Sequence, residues 1–281
     1  MKTNALWCAV VAGLCCEPAV MATVELKQDD AAGQVILCNE VVSLAFNLTK
    51  GTYEITDKTT GQLMVDQAGL SADSYENADS MKFTWTQEEA KDALGAGKRL
   101  VVAMEHTKPR AVPVYLFTYT VYEGRGAVVM GFGMRNTMDF GMRLMKAQPL
   151  AHGRLLAGTK LEKPQTLNGA AGTDTPRVEA NPNRACPNSL LLTGIQDGKR
   201  RSFVWGGMAN KEFGKWVDLR DGVMEMRAED PVGRLVDPGK TYISEDTLYL
   251  DVTQPDPFVA IETYGLAMRA ANHARPNAYD F

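Results

Sequence analysis

The residues that could do acid–base or metal chemistry are few and scattered. The 281-residue chain has three histidines, His106, His152 and His273, and no two of them have the spacing of a local metal site. The sequence contains no G-x-S-x-G nucleophile motif, no phosphate-binding glycine loop and no dinucleotide-binding glycine motif. We therefore expect no metal and no other cofactor, and interpret each histidine as a surface or loop residue.

Paired carboxylates are the remaining catalytic hypothesis, because hydrolysis of a glycosidic bond uses two of them on either side of a sugar. One segment is rich in candidates: Asp218, Asp221, Glu225, Glu229 and Asp230. Their spacing does not place any two of them at a working distance. The alternative, which we favour, is that they are solvated charges of turns and edge strands, so no catalytic residue is assigned.

One short stretch combines aromatic rings with amide and charged side chains. It reads SFVWGGMANKEFGKW from Ser202 to Trp216, with a Gly-Gly pair near its middle. Sugar sites use aromatic faces for the apolar side of a ring and polar tips for its hydroxyls. The candidate substrate-binding residues are Trp205, Asn210, Lys211 and Trp216. The alternative is structural, with the aromatic side chains in the core of a sandwich and the lysines at its rim.

The first 22 residues have the order of a secretory signal peptide. Lys2 precedes an apolar run of about twelve residues, Ala5–Cys16, which is too short to span a bilayer. Val20-Met21-Ala22 then supplies small residues at the positions that signal peptidase reads. We expect cleavage after Ala22 and export to the periplasm or the extracellular space.

Export also bears on the cysteines. Three of the five leave with the signal peptide, and Cys38 and Cys186 remain. An oxidising compartment permits a disulfide between them, and two separately buried thiols are the alternative. Two cysteines are too few to build a fold, so a hydrophobic core must hold the mature chain.

The composition is that of an ordinary globular protein, with 45% hydrophobic and 23% charged residues. A net charge of −4 argues against nucleic acid or an anionic membrane surface as the main partner. After the signal peptide, no apolar stretch is long enough for a membrane span.

Most of the mature sequence reads as short strands separated by turn residues. The strongest predictions are Arg99–Glu105, Val112–Tyr122 and Ala127–Met134. Val112–Tyr122 is apolar on both faces, as expected of a strand in the middle of a sandwich. Gly206-Gly207 is predicted to end the strand that carries Trp205. The loop-like segment Leu156–Asn188 is interpreted as a surface excursion with a strand or two hidden in it.

Two helices are predicted. Thr86 and Glu89 have the spacing of a capping box, which predicts a short helix through Leu94. A second helix begins after Asp256, with Pro257 at its first position, and continues to His273. The predicted fold class is therefore all-β, with one late helix after all the strands.

The C-terminal third of the chain resembles a known family. The stretch RSFVWGGMANKEFGKW, followed by DPGKTYISEDTLYLDVTQPDPFVAIETYGLAMRAANHARPNAYDF, resembles the N-terminal β-supersandwich domain of α-galactosidase-like (melibiase-clan) glycoside hydrolases. The likeness is best over Ser189–Phe281 and looser before it. The resemblance implies a large antiparallel β-supersandwich of the galactose-mutarotase type, with a helix that links it to a (β/α)8 catalytic barrel.

The resemblance also implies a domain organisation and a role. Residues 1–22 are the signal peptide, 23–255 the supersandwich, and 256–281 a helix and linker toward a barrel absent from this chain. In the family the two catalytic aspartates lie on barrel strands, and no position here matches them. The implied role is to pack on such a barrel and partly shape its pocket for an α-galactoside-type sugar, with Trp205 and its neighbours near that pocket.

Two alternatives remain at this point. A mutarotase-like sugar epimerase would need a histidine acid and a glutamate base facing each other across the sheet, and His106, which follows Glu105, is the histidine nearest a strong strand prediction. A non-catalytic carbohydrate-binding or structural module is the other. Loss of anomer interconversion in His106→Ala would favour the epimerase.

Overall fold

The computed structural model describes residues 23–76, 80–108, 110–169, 177–181 and 183–273. Within these ranges the chain forms two antiparallel β-sheets and a single α-helix, so the all-β prediction is confirmed. The predicted signal peptide lies outside the described residues.

The first sheet has ten strands in the order β1-β2-β3-β4-β5-β11-β18-β17-β14, with the short β6 paired to β5. These strands are β1 (Glu25–Asp29), β2 (Gln34–Cys38), β3 (Val42–Asn47), β4 (Thr52–Asp57), β5 (Gln62–Ala72), β6 (Tyr75–Glu76), β11 (Met142–Leu155), β14 (Arg184–Pro187), β17 (Gly214–Arg220) and β18 (Val223–Val236).

The second sheet has nine strands in the order β13-β12-β15-β16-β19-β10-β9-β8-β7. These strands are β7 (Met81–Asp92), β8 (Gly95–His106), β9 (Val114–Tyr122), β10 (Ala127–Arg135), β12 (Glu162–Asn168), β13 (Val178–Glu179), β15 (Ser189–Gln196), β16 (Lys199–Ala209) and β19 (Thr241–Asp251).

The main hydrophobic core is formed by buried side chains from both sheets. β9 is buried at each of its residues, which confirms the prediction from its two apolar faces. Two buried tyrosines, Tyr53 on β4 and Tyr119 on β9, both donate hydrogen bonds to the carbonyl oxygen of Pro149 on β11, at 2.7 and 2.9 Å. The bond from Tyr119 joins the two sheets, because β9 and β11 belong to different sheets. Pro149 lies where the register of β11 shifts against both neighbouring strands, so its carbonyl is free to accept them.

A second, smaller core lies on the outer face of the nine-stranded sheet, beneath helix α1 (Pro257–Ala271). The Asp256 carboxylate accepts a 2.8 Å hydrogen bond from the Phe258 N–H, and Pro257 occupies the first turn, as the sequence predicts. Ala260, Tyr264 and Ala267 form the buried side of the helix.

The predicted short helix at Thr86–Leu94 is wrong. Thr86–Asp92 belong to β7, which pairs with β8 in unbroken register from Met81↔His106 to Asp92↔Gly95, and residues 93–94 form the turn between the two strands. β7 is an edge strand whose second half is mostly exposed, and its charged residues suit a sheet edge as well as a helix start. Strands β12, β13 and β14 lie within the segment Leu156–Asn188, which confirms that it contains hidden strands.

The disulfide that an oxidising compartment would permit between Cys38 and Cys186 is not formed, since both cysteines are free and buried, in agreement with the alternative of two separate thiols. Cys38 is on β2 and Cys186 on β14, near opposite edges of the ten-stranded sheet. Neighbouring strands are about 4.8 Å apart, so this separation far exceeds the roughly 7 Å between Cα atoms that a disulfide tolerates. The Cys186 thiol bonds the Ser189 carbonyl oxygen at 3.3 Å, and burial raises its pKa to about 11.

Gly51 provides a test of the core between the sheets. Its φ is +66°, and a Cβ at this position would overlap the ring of Phe83. Gly51→Ala is expected to lower the free energy of unfolding by about 2–4 kcal/mol, from left-handed strain together with overpacking. Gly61 has a φ of +71° with open space around it, so Gly61→Ala should cost only about 1 kcal/mol. Urea denaturation measures both, and equal losses would contradict the overlap with Phe83.

Candidate functional site

The stretch Ser202–Trp216 forms a corner between the two sheets. β16 belongs to the nine-stranded sheet and β17 to the ten-stranded sheet, and residues 210–213 connect them. We call this connection the corner loop. Phe213 at its end is buried, and its ring packs edge-on against Phe132 with centroids 5.0 Å apart.

A buried carboxylate holds the corner loop by its backbone. Asp246 on β19 is fully buried and accepts hydrogen bonds from three consecutive backbone N–H groups: Lys211 at 2.7 Å, Glu212 at 2.8 Å and Phe213 at 3.1 Å. Consecutive N–H groups that converge in this way form a concave anion site, which Asp246 fills from within the protein. The loop is therefore ordered by a side chain far from it in the sequence.

The charge of Asp246 is neutralised by Lys215. The Lys215 ammonium forms a buried ion pair with Asp246 and donates a further hydrogen bond to the Phe213 carbonyl oxygen at 2.7 Å. Burial opposes ionisation of Asp246, but the bonds from Lys215 and from the loop N–H groups outweigh it and hold the pKa of Asp246 below its usual value. Because Lys215 is on β17 and Asp246 on β19, the pair ties one sheet to the other.

Trp205 lies in the core and not at a pocket rim. Its side chain is fully buried between the sheets, so the ring offers no face to a sugar, and the expectation of a substrate contact at this residue is corrected. The Gly-Gly pair does not end the strand, because β16 continues to Ala209 with a register shift after Gly207. The pair is needed for close approach: a Cβ on Gly206 would lie 2.5 Å from the Asn188 carbonyl oxygen.

The other three candidates of this stretch are not brought to one pocket. Asn210 and Lys211 are adjacent and exposed on the corner loop. Trp216 is half-buried on β17, with the Arg227 guanidinium 5.6 Å from its ring centroid, so one face of the ring is already covered. Sugar contact by these three residues remains a prediction.

The corner loop carries a polar cluster that the sequence did not single out. The Glu212 carboxylate accepts a hydrogen bond from the Tyr242 hydroxyl at 2.9 Å and pairs with Arg234 at 3.0 Å. Arg234 in turn lies 5.1 Å from the centroid of the Tyr242 ring. Burial, followed by the interaction with Glu212, raises the pKa of Tyr242 to about 12.

The carboxylates considered for hydrolysis each have a structural partner. Asp218 bonds Arg227 at 2.6 Å, and Glu229 lies 3.4 Å from the same guanidinium. Asp221 is hydrogen-bonded with Asn183, Glu225 pairs with His152 at 3.0 Å, and Asp230 accepts the Val232 N–H. The interpretation as turn and edge-strand charges holds only for Asp221, which lies in a turn. The other four are on β17 and β18, which have neighbours on both sides in the ten-stranded sheet.

The histidine of the epimerase alternative does not face a carboxylate. Glu105 and His106 are consecutive on β8, so their side chains point to opposite faces of the sheet. Glu105 pairs with Lys82 at 3.2 Å, and the His106 ring nitrogen accepts the Lys108 N–H at 3.1 Å. The arrangement that an epimerase needs is not formed around His106.

The described ranges contain neither a candidate metal-binding group nor a candidate membrane-spanning helix. No group of three or more histidine, cysteine or acidic side chains there is arranged to hold a metal ion. No helix in the same part of the chain has the length and apolarity to cross a bilayer.

Comparison with known proteins gives no match by sequence but several by structure. No protein-family model matches the chain, and no curated protein does. An α-galactosidase from Lactobacillus brevis superposes with a TM-score of 0.54 at 8% identity, over 86% of this chain and 42% of that one. An α-galactosidase from Geobacillus stearothermophilus gives 0.51 at 10% identity, over 83% and 41%.

The chain shares its fold with a part of these glycosidases. An α-N-acetylgalactosaminidase from Bifidobacterium bifidum, in complex with N-acetylgalactosamine, adds a TM-score of 0.52 at 12% identity, over 82% of this chain and 38% of that one. The chain therefore spans about two fifths of the length of the structures it resembles. The resemblance inferred from the sequence is confirmed for the β-sandwich fold.

The buried ion pair can be tested with a double-mutant cycle. Lys215→Met and Asp246→Asn should each cost about 3–5 kcal/mol in the free energy of unfolding, because each leaves the partner charge buried without compensation. The double variant should cost less than the sum of the two. Lys82→Met removes an exposed ion pair and should cost less than about 1 kcal/mol. Additive losses, or a Lys215→Met as mild as Lys82→Met, would contradict this role.

The same cycle has a pH signature. Because the pKa of Asp246 is lower in the folded protein than in the unfolded chain, its stabilisation is present above the unfolded pKa of about 3.9 and is lost as the pH falls through the folded pKa. Thermal unfolding between pH 6 and pH 2 should therefore show a smaller acid loss in the double variant than in the wild type.

Proposed function

We propose that this chain is an exported, carbohydrate-associated N-terminal domain of an α-galactosidase-like glycosidase. In this role it supports a (β/α)8 catalytic barrel, partly shapes the sugar pocket, and does not hydrolyse glycosides alone. The observation that carries the proposal is the fold: most of this chain superposes on about two fifths of several glycosidases, two of them α-galactosidases. The remaining three fifths of such enzymes would then be the partner of this domain.

Helix α1 supplies a surface for that partner. Its inner side covers the nine-stranded sheet, and its outer side exposes Phe258 by 80%, Val259 by 42% and Leu266 by 52%. Phe258, Glu262 and Leu266 recur at four-residue spacing and so lie along one face of the helix. In the resembled family a helix in this position links the sandwich to the barrel, so we assign this face to the contact with the barrel.

The described carboxylates support a non-catalytic role for the domain alone. The carboxylates that the sequence suggested for hydrolysis are engaged in ion pairs or turns, and Asp218 and Glu229 share Arg227. The chain alone is expected to release no p-nitrophenol from p-nitrophenyl α-D-galactopyranoside beyond a heat-denatured control. Turnover by the purified chain would overturn the non-catalytic assignment.

The proposed contact with the barrel is tested in a longer protein. This protein consists of the present chain and the residues that the same reading frame encodes after Phe281. Phe258→Ser/Leu266→Ser should lower the melting temperature of that longer protein and reduce its α-galactoside hydrolysis, because burial of each side chain is worth about 1.5–3 kcal/mol. Val232→Ser removes an equally exposed apolar side chain on β18 and serves as the control. Equal effects of the two, or a stop codon after Phe281, would contradict the proposed linkage.

Export is the second part of the proposal, and the residues that carry it are the apolar run and the cleavage signal before Thr23. The protein recovered from the periplasm or culture medium should begin at Thr23. N-terminal sequencing measures this directly. A protein retained in the cytoplasm with Met1 or Lys2 at its terminus would contradict export.

A further inference from the structure

A groove lies on the outer face of the nine-stranded sheet, beside the C-terminal end of α1. It has a volume of about 210 Å³, and the end of β16 lies at its edge, since Met208 and Ala209 line it. The groove is separate from the exposed face of α1 to which we assign the barrel contact.

The floor of the groove is a row of small and hydroxyl-bearing residues across four strands. Thr118 on β9 pairs with Gly131 on β10, Gly131 pairs with Thr247 on β19, and Thr247 pairs with Ala209 on β16. Directly paired residues point to the same face of a sheet, so the glycine leaves a depression between two threonines. A Cβ on Gly131 would lie 2.6 Å from the Thr118 hydroxyl oxygen, so that hydroxyl reaches over the glycine.

The Thr118 hydroxyl is the observation that points to a ligand. Thr118 is only 7% exposed, and its hydroxyl has no hydrogen-bond partner among the described residues, although it lines the groove. Its oxygen is not among the fully buried unpaired polar atoms of the described residues, so it is accessible from the groove and can bond to a polar group that enters it. The neighbouring Thr120 hydroxyl, in contrast, accepts a hydrogen bond from Arg99 at 3.1 Å.

The charged groups at the rim carry both signs. Arg99 and Glu245 line the groove, with Asp92, whose carboxylate accepts a 2.6 Å hydrogen bond from the Tyr122 hydroxyl. With two carboxylates and one guanidinium, the rim presents acceptors and donors and carries a small excess of negative charge, which suits a neutral ligand with several hydroxyls better than an anion. Small apolar groups of Ala270 and Ala271 complete the wall against the C–H side of such a ligand.

We propose that this groove binds one neutral monosaccharide ring, whose hydroxyls bond to Thr118 and to the rim. The inference rests on the proposed carbohydrate-associated function and adds to it a position for the sugar within this chain. That position is on the outer face of the sheet and not at Trp205, whose ring is buried on the inner side.

The experiment uses methyl α-D-galactopyranoside as the probe, with saturation-transfer NMR and backbone amide shifts on the full chain. Saturable binding is expected, with shifts at Thr118 and Gly131. Thr118→Val should weaken binding about three- to tenfold, the effect of losing one hydrogen bond. It should leave the melting temperature unchanged or raise it, because it removes an unpaired hydroxyl while keeping the shape of the side chain.

Thr84→Val is the matched control, since Thr84 is an exposed threonine on β7 of the same sheet and does not line the groove. It should leave both binding and stability unchanged. Gly131→Ala fills the depression and should reduce binding more than tenfold. Weaker binding together with undiminished stability in Thr118→Val is a combination that a purely structural threonine would not produce.

Three results would overturn the groove proposal. The first is that the galactoside, glucose and mannose all fail to bind saturably. The second is that Thr118→Val leaves binding unchanged. The third is displacement of the sugar by millimolar inorganic phosphate, which would indicate an anion site. None of these results would affect the barrel contact of α1, which is measured with the helix-face variants, so failure of one proposal is distinguishable from failure of the other.

Discussion

The Lys215–Asp246 ion pair sets the geometry around the corner between the two sheets. A carboxylate in a dry core is tolerated only if its charge is matched and its oxygens accept hydrogen bonds, and Asp246 meets both conditions with groups from β17 and the corner loop. Those groups therefore have one acceptable position relative to β19. The path of the chain from one sheet to the other follows from satisfying a single buried charge.

The end of β16 is held from its opposite face as well. The Tyr264 hydroxyl donates to the Gly207 carbonyl oxygen, and the Asn272 amide donates to the Met208 carbonyl oxygen at 2.7 Å, so α1 is tied to the same short segment. A strand end that is bonded to the helix on one side and leads into the Asp246 site on the other has little freedom to move. A rigid support is what a domain needs if it is to position another domain packed against its helix.

The features that could be predicted from sequence are those whose cause is local. The two apolar faces of Val112–Tyr122 and the Asp256-Pro257 helix start each depend on a few neighbouring residues, and the structure has both. The failures have non-local causes. Thr86–Asp92 are part of a strand because β8 pairs with them, and Trp205 is buried because its face of β16 is turned toward the other sheet. The role of Asp246 could not be predicted from its neighbours in the sequence, because one of its partners, the Lys211 N–H group, is 35 residues away.

The way in which Asp246 captures the corner loop has an evolutionary consequence. The carboxylate contacts the main-chain N–H groups of residues 211–213, and every amino acid except proline provides such a group. The Asp246 site therefore places no demand on the exposed side chain at position 211, whereas Glu212 also contacts Tyr242 and Arg234. Related chains could exchange residue 211 and acquire new surface chemistry there, while the corner beneath it keeps its shape.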